Sequence, residues 1–193
     1  MMAAEGALRA SQRTRRSRII GSAVRLAASG GYDAVQMREV AADSKVALGT
    51  LYRYFPSKDH LLASAMLDAI TAMGERLVDR PPQGRMPADR VIDVLGRSTR
   101  GMLRQGNLTA AMLRALVSGD STLAPVVREV RGSMSRIITE AMHPGEPTER
   151  EVAAARVLEY VWMGSLVGWL NGALTGPQVT GDLETAANLL IGG

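Results

Sequence analysis

The sequence has no cysteine among its 193 residues. It can therefore form neither disulfides nor thiolate metal sites, a composition typical of proteins in a reducing compartment such as the cytoplasm. Histidine is also scarce, and His60 and His143 are too far apart in the sequence to predict a zinc site, so we expect no metal. Aromatic residues make up only 4% of the chain, so a core must be built from aliphatic side chains and the 11 methionines.

The sequence also lacks the sustained apolar–polar alternation that predicts β-strands. Apolar residues recur instead at helical spacing, which predicts an all-α protein of about nine helices. We expect these helices near residues 12–29, 37–44, 47–55, 58–78, 88–104, 107–118, 122–142, 147–174 and 182–190. Ser57 has the position of a helix N-cap, and Thr148 with Glu151 has the spacing of a capping box. The segment RPPQGRMP (80–87) predicts a linker, and no apolar segment before Ile19 predicts a secretory signal.

No group of residues predicts an enzyme. The sequence has no Ser-His-Asp arrangement and no glycine-rich phosphate loop. Glu146, Glu149 and Glu151 cluster at the start of a predicted helix, where the helix dipole stabilises acidic groups, so capping explains them better than acid–base chemistry. We therefore expect no catalytic residues and no cofactor.

The positive charge is concentrated in the first third of the chain. Residues 1–60 contain ten basic and five acidic side chains, whereas the remaining 133 residues contain thirteen basic and fourteen acidic ones. This asymmetry is typical of a polyanion-binding module joined to a neutral body. A basic tail that only improves solubility is the alternative.

The segment VALGTLYRYFPSKDHLL (46–62) predicts a short helix with an unusual polar side. At 100° per residue, Ala47, Leu51 and Phe55 share one side and are expected to pack against the first helix. The opposite side is small, hydroxylated and basic, with Gly49, Thr50, Tyr52 and Arg53. Glycine permits close backbone approach, hydroxyl groups bind phosphate oxygens, and arginine reaches phosphate or guanine, so this side suits DNA. Two short helices joined by a tight turn predict a helix-turn-helix; a helical hairpin whose tyrosines only cover the core is the alternative.

The basic first helix ending in Gly-Gly-Tyr, followed by MREVAADSKVALGTLYRYFPSKDHLL, resembles the DNA-binding domain of TetR-family transcriptional repressors. The resemblance implies an all-α homodimer that binds double-stranded DNA at a palindromic operator. It implies a three-helix head in residues 1–57 and a larger ligand-binding and dimerisation domain in residues 58–193. The residues that match the family's DNA-contacting positions, or lie among them, are Arg38, Leu48, Gly49, Thr50, Tyr52, Arg53, Tyr54 and Lys58. Gln36 stands where the family usually has a threonine, and Arg13, Arg15, Arg16 and Arg18 form a basic arm that could reach the adjacent groove.

The uncharged run YVWMGSLVGWLNGALTGPQVT (160–180) contains small residues four apart. A membrane span is one interpretation, but its apolar part of about 11–15 residues is shorter than the ~20 that a bilayer requires. We favour a helix that packs against its symmetry mate, as in the family's dimer interface. The dimerisation residues predicted from this run are Gly164, Gly168, Trp169 and Gly172.

Methionines and large apolar residues recur on the helices after the head, where they could line a pocket for an apolar ligand or simply form core. The predicted ligand-binding residues are Met66, Met73, Met102, Met112, Leu113, Leu116, Met134, Ile138, Trp162 and Leu166. Four arginines could meet an anionic group on such a ligand, or be merely solvated: Arg97, Arg100, Arg104 and Arg114.

Within the family, GGYDAVQMREVA, GEPTE and YVWMGSLVGWL resemble actinobacterial repressors of steroid (cholesterol) catabolism. That resemblance implies release from DNA by a steroid-derived acyl-CoA thioester. A regulator of another ligand class, such as fatty acyl-CoA or drugs, and an architectural DNA binder without an effector are the alternatives.

Overall fold

The computed structural model describes residues 2–192, with side chains from Ala10 onward and the single glycine Gly6 before it. Met1 and Gly193, the outermost residues of the two predicted domains, lie outside it. Its α-helices are α1 (Met2–Ala34), α2 (Met37–Asp43), α3 (Leu48–Tyr54), α4 (Lys58–Asp79), α5 (Pro87–Arg104), α6 (Gly106–Leu116), α7 (Ala124–Met142), α8 (Glu149–Leu170) and α9 (Gly176–Ile191). A short 3₁₀ turn, Ser121–Leu123, precedes α7. Residues 2–192 contain no strand, so the predicted all-α class of about nine helices is confirmed.

The predicted helix caps are present. The Ser57 hydroxyl accepts a hydrogen bond from the His60 backbone N–H at 3.2 Å, at the start of α4. Thr148 and Glu151 form the capping box of α8, with the Glu151 carboxylate 2.8 Å from the Thr148 backbone nitrogen. Gln36, by contrast, makes no side-chain bond to α2.

The prediction that α8 extends to residue 174 is wrong, because the helix ends at Leu170. Gly172 adopts the left-handed conformation with φ +74°, which ends a helix at little steric cost. Its N–H bonds the Trp169 carbonyl at 3.0 Å, and the Ala173 N–H bonds the Gly168 carbonyl at 2.8 Å, the two bonds of a Schellman motif. The next helix, α9, then begins at Gly176 instead of 182, with Pro177 in its first turn.

The described chain divides into two compact units that do not follow the order of the sequence. The first unit contains the chain up to Met66 together with Asn107–Val127, and the second contains Leu67–Gly106 together with the chain from Arg128 onward. The predicted domain boundary after residue 57 divides the chain into two continuous segments, whereas each compact unit combines two separate segments. The predicted boundary therefore stays a prediction.

The first unit has a small aliphatic core around the first three helices. Ile19, Ala23 and Ala27 of α1 are fully buried, and Val40 of α2 and Leu51 of α3 are buried with them. The spacing of the α1 residues, four apart, places them on one side of the helix, which explains why a basic helix still packs. This core fixes the two short helices that follow it.

The second unit is built around α5, α8 and α9, with α9 packed against both of the others. Leu158, Trp162 and Leu166 of α8 are buried. The Trp162 indole N–H donates to the Thr99 hydroxyl of α5 at 2.9 Å, so the largest buried side chain also satisfies its polar group. None of the described helices has both the length and the apolar character that crossing a membrane requires.

The predicted linker at 80–87 is held against α5 by polar contacts. The Arg97 guanidinium donates to the Arg80 carbonyl at 3.0 Å and pairs with Asp93 at 2.7 Å, while Asp93 also accepts from the Gln83 backbone N–H at 2.9 Å. Arg97 therefore holds the linker against α5. The sequence did not predict this structural role; it suggested instead that Arg97 could meet an anionic group on a ligand.

Candidate DNA-binding interface

A tight turn joins α2 to α3 and sets the direction of α3. Lys45 in this turn has φ +54°, a left-handed conformation that is uncommon for a residue other than glycine. The Lys45 N–H bonds the Ala42 carbonyl at 3.1 Å, and the Val46 N–H bonds the Ala41 carbonyl at 3.0 Å, which again makes a Schellman motif. Two short helices joined by a defined turn form the predicted helix-turn-helix geometry.

The buried side of α3 holds the helix in place. Leu51 is fully buried and Phe55, at the C-cap, is 3% exposed, as their spacing predicted. Ala47 was expected on the same side, but it is exposed. Its backbone is extended at the N-cap, with ψ 141°, so the 100° helical spacing does not apply to it.

The other side of α3 faces away from the core. Tyr52 is 47% exposed, and Gly49 and Arg53 are exposed as well. A methyl group added at Gly49 would meet no atom within 4 Å, so nothing inside the chain requires a glycine there. Leu48, Thr50 and Tyr54 are half-buried at the edges. The predicted face is therefore present, and its contact with DNA stays a prediction.

The other predicted DNA-contacting residues belong to the same compact unit as α3. Arg38 is exposed on α2. Lys58 begins α4, where its ammonium lies 3.9 Å from the centre of the Tyr32 ring and donates to the Tyr32 carbonyl at 3.1 Å. In the basic arm, Arg13 and Arg18 are exposed, Arg15 is half-buried, and the guanidinium of Arg16 lies 5.9 Å from the Phe55 ring.

No pattern in the sequence indicates the role of Tyr32 in this site. The Tyr32 hydroxyl donates to the Asp59 carboxylate at 2.6 Å, and burial together with this carboxylate raises the pKa of Tyr32 to about 12. Arg114 of α6 places its guanidinium 4.0 Å from the centre of the same ring and 3.6 Å from Asp33. Tyr32 belongs to the quoted Gly-Gly-Tyr motif, but its partners come from distant positions of the chain.

The predicted ligand-binding residues are divided between the two units. Met66, Met112, Leu113 and Leu116 belong to the first, and Met73, Met102, Met134, Ile138, Trp162 and Leu166 belong to the second. Seven of the ten are buried, while Met73, Met102 and Leu116 are half-buried. Burial is expected both for core residues and for the lining of a pocket, so the ligand-binding assignment stays a prediction. Among the described residues, no group of histidine and acidic side chains could hold a metal ion.

The four predicted dimerisation residues are in different environments. Gly164 is exposed and has no atom near its Cβ position. A Cβ at Gly168 would lie 2.9 Å from the Leu174 side chain, and the Trp169 ring lies 3.2 Å from the Cβ position of Gly106. Gly168 and Gly172 therefore allow the turn between α8 and α9, whereas Gly164 leaves room on the outer side of α8.

Comparison with known proteins covers both sequence domains. Residues 19–65 match the family model "Bacterial regulatory proteins, tetR family", and residues 84–190 match "Tetracyclin repressor-like, C-terminal domain". The transcriptional repressor KstR of Rhodococcus jostii is 44% identical over 94% of this chain and 84% of its own length. KstR of Mycobacterium tuberculosis is 41% identical over 94% of this chain and 82% of its own length.

A crystal structure of a TetR transcriptional regulator from Rhodococcus sp. RHA1 has the same fold. It superposes with a TM-score of 0.87 at 37% identity and covers 93% of this chain and 97% of its own. Fold, sequence and the helix-turn-helix geometry thus agree over nearly the whole chain. The chain belongs to the TetR family of bacterial transcriptional regulators, which are not enzymes.

Proposed function

We propose that this chain represses transcription by binding a palindromic operator as a homodimer, and that a steroid-derived acyl-CoA thioester releases it. The observation that carries the DNA-binding part is the exposed side of α3, with Gly49, Tyr52 and Arg53 on a helix anchored by Leu51. A helix of this kind enters the major groove, where arginine and hydroxyl groups contact base edges and phosphates. In a homodimer, two such helices would contact half-sites about one helical turn apart.

The homodimer is supported by an exposed apolar stripe on α8. Val157, Tyr160 and Val167 are 41%, 56% and 39% exposed, and Gly164 lies between them on the same side of the helix. An exposed apolar stripe on an otherwise well-packed helix is typical of a contact surface. A two-fold interface would pair this stripe with its own copy.

The ligand response is supported by the similarity to the KstR repressors. The steroid class follows from the resemblance of GGYDAVQMREVA, GEPTE and YVWMGSLVGWL to repressors of steroid catabolism. The second unit offers buried aliphatic, methionine and tryptophan side chains, which suit a large apolar ligand. Release from DNA requires that the ligand bind one conformation of the dimer more tightly than the other.

The test is fluorescence anisotropy with the promoter region beside the protein's own gene and with a scrambled duplex. Each duplex is titrated with and without a cholestenoyl-CoA thioester, and with palmitoyl-CoA in a parallel series. We expect tight binding to the promoter alone and its loss with the steroid thioester. Release by palmitoyl-CoA only would assign a fatty acyl effector, and equal binding to both duplexes would contradict a sequence-specific repressor.

A pair of arginine variants isolates the α3 face. Arg53→Ala should weaken promoter binding, because Arg53 is exposed on the proposed recognition helix. Arg150→Ala removes the same charge from an exposed position on α8 and should leave promoter binding unchanged. Equal losses in both variants would indicate that net charge alone, and not the α3 face, determines binding.

A further inference from the structure

We infer that Arg114, which lies outside the helix-turn-helix, is a positioning residue for DNA binding and acts on Lys58 through the ring of Tyr32. The inference rests on the proposed function, since Lys58 matters only if the chain binds DNA. Arg114 lies in α6, within the segment that matches the C-terminal family model. Yet α6 belongs to the same compact unit as the head.

The backbone before Tyr32 fixes the place of its ring. Gly31 has φ +71° and ψ −160°, a combination that is essentially restricted to glycine. A Cβ at Gly30 would lie 2.7 Å from the Ala34 side chain. The two glycines therefore break the helical geometry of α1 at this point and let the chain turn, so that Tyr32 lies against the start of α4.

One aromatic ring then holds two cations. The Lys58 ammonium lies 3.9 Å from the ring centre and the Arg114 guanidinium 4.0 Å from it, both within the range of a cation–π contact. The ring itself is held by the 2.6 Å hydrogen bond from its hydroxyl to Asp59, the residue after Lys58. Burial and the Asp59 carboxylate raise the pKa of Tyr32 to about 12, so this hydroxyl stays protonated and donating even at an alkaline pH where a free tyrosine, with a pKa near 10, would ionise.

Lys58 is thereby held at two points instead of moving on a free four-carbon stem. Its ammonium has the ring on one side and the Tyr32 carbonyl at 3.1 Å, and it stands at the N-terminus of α4, where phosphate is favoured. Ordering a lysine side chain before binding reduces the entropy lost on binding. Arg114 contributes by holding the ring, and it is itself held by Asp33 at 3.6 Å.

The test uses Arg114→Met, which keeps an unbranched apolar stem and removes the guanidinium group with its charge. The Arg114 side chain is 61% exposed, so the variant is expected to fold. We expect promoter affinity to fall about two- to fivefold, the range that corresponds to one exposed cation–π contact. Arg114→Lys restores a cation over the ring and should recover most of the affinity.

A double-mutant cycle with Lys58→Met separates positioning from a direct or merely structural effect. Lys58→Met should lower the slope of log affinity against log salt by about one per protomer, because one phosphate contact is lost. In that background Arg114→Met should have no further effect, since the residue through which it acts is absent. An equal loss with and without Lys58 would overturn the inference, as would unchanged or increased affinity of the single variant.

The wild-type chain is the control that separates the proposed function from the role of Arg114. If the wild-type chain fails to prefer the promoter over a scrambled duplex, the proposed function fails. If the wild-type chain binds specifically and Arg114→Met binds equally well, the proposed function stands and only the role of Arg114 is refuted. Tyr32→Phe, which keeps the ring and loses the bond to Asp59, should fall between the wild-type chain and Tyr32→Leu.

Discussion

Single side chains in this protein show which positions are set by packing and which are available for function. Gly49 has open space around its Cβ position, so packing does not require a glycine there. Glycine within a helix is also less stable than alanine by roughly 0.5–1 kcal/mol. Gly132 on α7 has the same open space around it, so the absence of a packing reason does not by itself indicate a function. Gly49 differs because it lies on the exposed side of α3, and we propose that close approach of DNA explains the glycine there.

This explanation makes Gly49→Ala informative. We expect a gain in unfolding free energy of at most about 0.5–1 kcal/mol, the value for a helix interior, because Gly49 is only the second residue of α3. We also expect weaker promoter binding. Thermal or urea unfolding and anisotropy measure the two effects. Gly132→Ala on α7 is the matched control, since Gly132 is also exposed with open space around it. Gly132 lies in the middle of α7, so Gly132→Ala should gain the full value of about 0.5–1 kcal/mol and bind DNA as the wild-type chain does. An unchanged affinity of Gly49→Ala would refute close approach at this position.

Glu159 is a second residue whose environment the sequence did not reveal. Its side chain is 11% exposed on α8, and its Oε1 atom is buried without a hydrogen-bond partner. Arg131 lies 3.7 Å from the other oxygen, an ion-pair distance longer than a hydrogen bond, and donates to the Tyr160 hydroxyl at 2.6 Å. Burial raises the pKa of Glu159 to about 7, although the charge of Arg131 opposes this shift.

The raised pKa predicts a pH-dependent stability. Between pH 4.5 and 7 the folded chain retains a proton on Glu159 that the unfolded chain releases, so stability falls as the pH rises through this window. The loss is on the order of 3 kcal/mol, since one unit of pKa difference corresponds to about 1.4 kcal/mol. In Glu159→Gln this part of the dependence should disappear, with a gain over the wild-type chain at pH 8 and little difference at pH 4.

Urea unfolding at several pH values measures this effect. Glu184→Gln, which changes an exposed carboxylate on α9, is the control and should keep the wild-type profile. A wild-type chain whose stability rises between pH 5 and 7 relative to Glu159→Gln would contradict the sign of the shift.

Among the secondary-structure elements, the turns that follow α2 and α8 differ in conformational cost. Two Schellman motifs end α2 and α8, one with Lys45 in the left-handed position and the other with Gly172. Glycine is the usual residue at such a position, because it has no Cβ to clash with the carbonyl oxygen. The turn of the helix-turn-helix is therefore formed at a conformational cost that the turn after α8 avoids.

Lys45→Gly should stabilise the chain by about 1 kcal/mol, since the left-handed conformation of a side-chain-bearing residue costs roughly that amount. Lys45→Ala removes the same charge but retains the Cβ, so its stability should stay near that of the wild-type chain. Urea unfolding of the three proteins gives the comparison. Equal stabilisation by glycine and alanine would show that the charge of Lys45, and not its backbone conformation, is responsible.

At the scale of the whole molecule, the exposed stripe of α8 is the proposed contact between two copies. Val157→Glu or Val167→Glu places a charge on this stripe and should yield a monomer in sedimentation or light-scattering measurements. Both residues are about 40% exposed, so folding of the chain should be retained. Because a dimer binds two half-sites together, promoter affinity should fall by tenfold or more.

Val117→Glu is the control for this prediction. Val117 is 65% exposed and belongs to the other compact unit, so a glutamate there should leave a dimer intact. A chain that remains dimeric with glutamate at both Val157 and Val167 would locate the interface elsewhere.

Much of the molecule could be predicted from the sequence, because its helices follow from local rules. Apolar residues at helical spacing, the caps at Ser57 and Thr148, and the anchoring residues Leu51 and Phe55 all depend on neighbours within one or two turns. The helix-turn-helix could be recognised for the same reason, since it is a short and continuous segment. The end of α8 was missed because its apolar pattern continues past Leu170, while the position of Gly172 decides where the helix stops.

The all-α class, the order of the helices and the exposed face of α3 thus follow from the sequence alone. Which distant groups meet depends on the tertiary structure. Tyr32, Lys58 and Arg114 come from the end of α1, the start of α4 and the middle of α6, and no local periodicity relates them. The burial of Glu159 was decided in the same way, because the environment of a charged side chain depends on how α8 packs with its neighbours and not on the residues beside it in the sequence.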